Sequence, residues 1–241
     1  MKPDTVVLAK RSDLAVRVAS GIVMVALAVA TLLLGGVFLF LFIVAITLGV
    51  LWEAWGLVSR MTIGAGARLL WMLALAIYAL GAAAGLLGAP PALRWLAIAG
   101  VIATDSFAYF AGRTIGGPKI APSISPSKTW AGLGGGMVGA ALVMLIFWLA
   151  ISYALSGVGG NPPSLGGMNW SVRVVGGVIL SGALVAIVAQ AGDFFESWLK
   201  RRAGVKDSGR LIPGHGGLFD RVDGLLPVAC LLGLVNLGGL L

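Results

Sequence analysis

Residues 130–153 read WAGLGGGMVGAALVMLIFWLAISY, a run of 24 without a charged residue. A helix needs about 20 mostly apolar residues to cross the ~30 Å hydrocarbon layer of a bilayer, so this stretch predicts a membrane span. Its glycines read as a packing face. Gly132, Gly136 and Ala140 have small-xxx-small spacing, and so do Gly135 and Gly139; in membranes, small residues let helix backbones approach. A phosphate-cradling glycine loop would follow a strand, and no strand is expected ahead of Trp130.

Outward from this run the pattern repeats. Comparable apolar stretches cover 14–34, 37–55, 69–87, 95–110, 174–191 and 225–241. The chain therefore reads as an all-α, polytopic integral membrane protein with about seven spans, within a range of six to nine. Composition agrees: 59% of the 241 residues are hydrophobic, 11% are charged, and the mean hydropathy is +1.02. A soluble domain would need more polar surface than this. The lone Cys230 excludes a disulfide within the chain and reads as a small buried apolar residue. The N-terminus, with Lys2, Lys10 and Arg11 ahead of an apolar run containing Ala26-Leu27-Ala28, resembles a signal peptide. The run continues to about residue 52, however, and predicts retained helices.

Charge sets the orientation. With the N-terminus in the cytoplasm, fifteen of the seventeen Lys and Arg residues fall inside, and only Arg94 and Arg173 fall outside. This is the positive-inside pattern. It accounts for the net charge of +8 without a nucleic-acid partner, because the cations lie in short loops between spans. Residues 154–172, rich in Gly, Ser, Asn and Pro, read as a passive outer connector. The expected organisation is a set of N-terminal helices over 1–100 and a catalytic region over 101–241, with cytoplasmic loops at 113–129 and 197–224. The expected location is the cytoplasmic membrane, with the active site on the cytoplasmic side.

The chemistry gathers in those two loops. Of nine acidic residues, five fall between 193 and 223. Asp105 and Asp193 stand at the inner ends of apolar spans, where a carboxylate costs about 2.5–3.5 kcal/mol and is a functional candidate by default. Residues 197–223 read SWLKRRAGVKDSGRLIPGHGGLFDRVD. Lys200, Arg201, Lys206 and Arg221 alternate there with Asp207, Asp220 and Asp223, and glycines flank His215, the only histidine. A helical Asp220–Asp223 stretch would put both carboxylates on one face. The other loop offers Asp105 and Tyr109 at i, i+4 spacing, the cations Arg113, Lys119 and Lys128, and the hydroxyls of Ser125, Ser127 and Thr129. Carboxylates among many cations suit a phosphate-rich substrate with a divalent metal: Mg²⁺ takes one or two carboxylates and shares the rest with water and phosphate, while Lys and Arg neutralise phosphate directly. His215 suits substrate contact and a structural loop role equally well.

Together these residues resemble the phosphatidate cytidylyltransferase (CDP-diacylglycerol synthase) family. Its C-terminal signature matches at Ser197, Leu199, Lys200, Arg201, Lys206, Asp207, Gly209, Pro213, His215, Gly216, Gly217, Asp220, Arg221 and Asp223, without departure over the 27 positions. The GDFFES stretch (192–197), the Asp-Ser-x-Ala-Tyr start at Asp105 and the Ser-Pro-x-Lys-Thr-Trp run (125–130) are similar as well. The resemblance covers about residues 100–230, and longer relatives would carry further N-terminal spans. It implies that CTP and phosphatidate give CDP-diacylglycerol and pyrophosphate, with Mg²⁺ on Asp193 and Asp220. It further implies catalytic roles for Asp193, Asp220, Asp223 and Lys200. Substrate contacts would fall to Asp105, Tyr109, Arg113, Ser125, Lys128, Thr129, Ser197, Arg201, Lys206, His215 and Arg221. CTP, phosphatidate and the bilayer are the expected partners, with a second copy of the chain as a further candidate. The rival readings are another CTP-dependent membrane enzyme, such as a polyprenol kinase or a CDP-archaeol-type synthase, and a transporter. A transporter would place its carboxylates near the midplane and show inverted repeats, and neither feature is visible.

Overall fold

The computed structural model describes residues 3–157, 164–168 and 170–238, with side chains from residue 14 onward. The readings placed on Lys2, on the side chains of Lys10 and Arg11, on part of the 154–172 connector and on 239–241 lie outside the described residues. Among the described residues, six helices are long and apolar enough to cross a membrane. They are α1 (Pro3–Leu34, apolar over Leu14–Leu34), α2 (Gly36–Arg60), α3 (Ala65–Gly88), α4 (Pro91–Thr114), α5 (Trp130–Ser156) and α6 (Val172–Arg202). Two shorter helices, α7 (Phe219–Val222) and α8 (Leu225–Leu237), close the chain. The protein is an all-α, multi-pass membrane protein.

The structure adds detail to three expectations. First, the seventh apolar run forms a helix of only 13 described residues, about 20 Å at 1.5 Å per residue, which is short of a full span. Second, the loop expected from residue 197 begins as helix, because α6 continues through Lys200, Arg201 and Arg202. Hydropathy falls there but helix propensity does not, and basic residues suit a helix C-terminus. The helix stops at Gly204, with φ 69°, where Val205 N–H returns to the Lys200 carbonyl (3.0 Å) and Gly204 N–H to the Arg201 carbonyl (3.2 Å). This is a Schellman ending. Third, the 113–129 loop holds an antiparallel hairpin of β1 (Lys119–Ala121) and β2 (Ser125–Thr129), with Lys119 opposite Thr129 and an irregular register toward Ala121–Ser125. A strand therefore does precede Trp130. Pro126 is tolerated in it because both strands of a lone hairpin are edges.

Two compact units are present, one of residues 89–194 and the other of residues 1–88 with 195–241. In the 89–194 unit, α5 lays its glycines on α4, confirming the packing reading of 130–153. A Cβ on Gly136 would stand 3.1 Å from the Thr104 carbonyl oxygen, and one on Gly139 would stand 2.8 Å from that of Ala103. Gly182 of α6 meets the α5 backbone at Ala141 in the same way. Thr129 caps α5 by accepting from Gly132 N–H (3.0 Å), as short polar residues at helix starts do.

The other unit is built on α2, α3 and α8 with the last turns of α6. Val50, Ala54, Leu57, Leu75, Ala79, Leu199, Phe219, Leu226 and Ala229 form its core. Gly85 of α3 allows direct contact with the α8 backbone at Ala229 and Gly233. The apolar residues of α1 are mostly exposed, as are Leu41, Trp52 and Ile77, which suits helices whose outer faces meet lipid.

Candidate active site

In the unit of residues 1–88 and 195–241, the chemistry centres on Asp220. It sits in α7, immediately after the turn-rich stretch that follows α6. Its Oδ1 accepts from Lys200 Nζ (2.6 Å), and its Oδ2 accepts from Ser208 N–H (2.9 Å), Ser208 Oγ (2.9 Å) and Gly217 N–H (3.0 Å). Burial by itself pushes the Asp220 carboxyl up. Hydrogen bonding with Glu196 and Lys200 and from the Ser208 backbone outweighs it and brings the group down to about 2. Lys200 is nearly buried and also pairs with Glu196, one helical turn earlier. Glu196 has no exposed surface, and a buried carboxylate requires such a partner.

A second carboxylate organises the same stretch from below. Glu53 of α2 is 3% exposed. Its Oε2 accepts from Ser208 Oγ (2.8 Å) and Phe219 N–H (2.9 Å), and its Oε1 from Leu218 N–H (3.0 Å). Gly209 and Gly217 border this carboxyl so closely that a Cβ on either would fall on it. The chain between α6 and α7 is thus tied down at residues 208, 217, 218 and 219 by two acids from different helices. His215 lies in the turn that these ties present. Its carbonyl accepts from Arg221 Nη2 (2.6 Å) and Nε (3.2 Å), and Ile212 and Gly216 form an isolated bridge around it. Arg201, Lys206, Asp207 and Arg221 are exposed, and Ser197 is buried. Asp223 Oδ1 accepts from Gly224 N–H (2.8 Å).

In the 89–194 unit, Lys128 of β2 forms an ion pair with Asp193 of α6. The hairpin therefore carries a cation to the carboxylate that ends the apolar part of α6. Asp105 stands in the electrostatic field of both. Arg113 donates to the Tyr109 hydroxyl (2.7 Å) and lies over its ring, 5.9 Å from the centroid. Ser125 and Thr129 are buried, and the Thr129 hydroxyl serves as the helix cap described above.

Residues 91–236 match the Cytidylyltransferase family. The chain belongs to the cytidylyltransferase family. Within it, the chain is 46% identical over 132 residues to the phosphatidate cytidylyltransferase of Brucella abortus biovar 1 (strain 9-941), a match covering 55% of this chain and 42% of that relative. It is 46% identical over 125 residues to the Haemophilus influenzae phosphatidate cytidylyltransferase, covering 52% and 38%. With the Thermotoga maritima phosphatidate cytidylyltransferase it shares 42% over 127 residues, covering 52% and 42%. The matched stretch thus spans roughly two fifths of the length of each of these relatives. For a cytidylyltransferase-family chain, two residues of the site were not singled out from sequence: Glu53 and Glu196. Glu53 had a readable signal, since it is the only acidic residue of α2 and an acid within an apolar span is a functional candidate.

Proposed function

We propose that the chain transfers the cytidylyl group of CTP to phosphatidate, giving CDP-diacylglycerol and pyrophosphate. The observation that carries this reading is the 197–223 segment. Its signature residues are complete, and the two acids Glu53 and Asp220 organise it into an ordered cationic turn. In the reaction, a phosphate oxygen of phosphatidate attacks the α-phosphorus of CTP, and the bond to the β-phosphate oxygen breaks. Such in-line displacement needs positioning and charge neutralisation more than covalent help.

The residues divide that work. Arg201, Lys206 and Arg221 are exposed and are suited to hold triphosphate oxygens. Lys128 and Lys200 are engaged with carboxylates and keep them oriented. A divalent cation is the expected cofactor, with Asp193 and Asp220 as the candidate ligands named by their sequence positions. Among the described residues no cluster of three or more His, Cys, Asp or Glu residues is suited to a metal, so phosphate and water would supply its remaining ligands, as Mg²⁺ prefers. When bound, it would neutralise the charge that develops on the phosphoryl oxygens. The basic-residue bias supports a cytoplasmic site, reached by CTP from the aqueous side and by phosphatidate from within the bilayer. Purified protein given labelled CTP and phosphatidate should form CDP-diacylglycerol. Phosphorylation of a polyprenol, or no transfer to phosphatidate at all, would reject the reading.

A further inference from the structure

The inner end of α1 is built onto the turn that carries His215. Ser20 Oγ lies 2.9 Å from the Pro213 carbonyl oxygen and 2.9 Å from His215 Nδ1. Donation of the hydroxyl proton to the carbonyl leaves Oγ to accept from Nδ1–H. Gly214, at φ 76°, brings its backbone against Arg17, where a Cβ would stand 3.4 Å from the Arg17 Cα. A Cβ on Gly21 would meet the His215 ring at 3.5 Å. These contacts join residues almost two hundred positions apart, and none of them is needed to hold Asp220.

A groove of about 610 Å³ opens at this junction, lined by Arg17 and His215 at one end and by Val18, Ile22, Val25 and Val29 along its length. No carboxylate lines it among the described residues. From Arg17 to Val29 the helix rises about 18 Å, close to the ~15 Å of one leaflet's hydrocarbon. A cation at the inner end of an apolar helix face of one-leaflet depth is complementary to an anionic headgroup on an acyl chain.

We infer that this α1 groove binds the lipid substrate, with the phosphomonoester at Arg17 and His215 and one acyl chain along Val18, Ile22, Val25 and Val29. The identity of the lipid as phosphatidate rests on the proposed function. The groove adjoins the turn of the site, since Gly217, two residues after His215, donates its N–H to Asp220. The arrangement makes α1 a specificity element. A phosphomonoester carries more negative charge than the phosphodiester of bulk anionic lipids and gains more from Arg17.

The test uses the full chain in mixed micelles with phosphatidate bearing a diazirine on one acyl chain, with adducts mapped by mass spectrometry. Adducts should concentrate in residues 18–29. Unlabelled phosphatidate should compete them away, and phosphatidylglycerol at the same mole fraction should not. Arg17→Gln should reduce labelling and raise the KM for phosphatidate about tenfold, as loss of a charge-assisted hydrogen bond does, with the KM for CTP unchanged. Arg17→Lys should recover most of the loss. Val25→Trp, which fills the groove and leaves Arg17 in place, should also reduce labelling. Adducts spread evenly over α1 and α5, equal competition by phosphatidylglycerol, or unchanged labelling in Arg17→Gln would overturn the inference. A wild-type chain that labels in α1 yet makes no CDP-diacylglycerol would contradict the proposed reaction and leave the groove standing.

Discussion

Replacing Glu53 by Gln should disable the site without touching a phosphate-binding residue. The carboxylate takes three hydrogen bonds, from Ser208 Oγ, Leu218 N–H and Phe219 N–H, at 2.8–3.0 Å. Gln keeps one acceptor oxygen. With that oxygen in the Oε2 position, the bonds from Ser208 and Phe219 survive without the charge. The new NH₂ then faces Leu218 N–H, donor against donor. Losing a hydrogen bond to a charged group costs about 1.5–3 kcal/mol, and weakening the other two adds about 1 kcal/mol. The total of about 3 kcal/mol is roughly a hundredfold in the equilibrium constant for ordering the turn. Turnover should fall by about that factor, because the same turn supplies the Ser208 and Gly217 donors to Asp220. Hydrogen exchange in detergent should show lost protection at Leu218 and Phe219 while the amides of α3 stay protected. Glu53→Gln within about threefold of wild-type activity, with unchanged exchange at those two amides, would refute the reasoning.

Further substitutions probe the other supports. Lys200→Met leaves Glu196 and Asp220 without their shared cation, and breaking a buried pair costs about 3–5 kcal/mol; a clear fall in detergent thermal stability should accompany the loss of activity. Gly139→Leu drives a side chain into α4 at Ala103 and Phe107 and should destabilise the 89–194 unit by several kcal/mol, read as protease sensitivity of the 113–129 hairpin. Asp193→Asn and Asp220→Asn should each abolish turnover in a folded, membrane-inserted protein, whereas Asp207→Asn, exposed in mid-turn, should be milder. Activity against Mg²⁺ concentration for all three checks the shared-cation assignment, which fails if Asp193→Asn keeps near-normal activity and Mg²⁺ dependence.

Hydropathy made the spans legible because a bilayer imposes one length scale on every helix that crosses it. α1 ends at Leu34, as read from sequence, and the glycine face of α5 packs as its spacing implies. The helix ends were less legible. Hydropathy reports where a segment turns polar, and the apolar run read over 174–191 stops well before α6 ends at Arg202. The 119–129 hairpin was hidden by Ser-Pro and Gly-Pro pairs that signal turns but not the strands between them. At the site, the cations and carboxylates of 193–223 were readable from their density alone. Glu53 stood out only as a lone acid in an apolar span; its role was not readable, because its partners lie more than 150 positions away and only the fold brings them to α2. The contact of Ser20 with His215 was hidden for the same reason.

The most direct test of the central claim follows the label in CTP. Purified protein should be given phosphatidate, Mg²⁺ and CTP labelled with ³²P at either the α- or the γ-phosphate. Cytidylyl transfer predicts that α-label enters the lipid fraction as CDP-diacylglycerol, that γ-label leaves as pyrophosphate, and that excess chelator stops both. Label entering lipid from the γ-position would mean phosphoryl transfer instead, and would contradict the account.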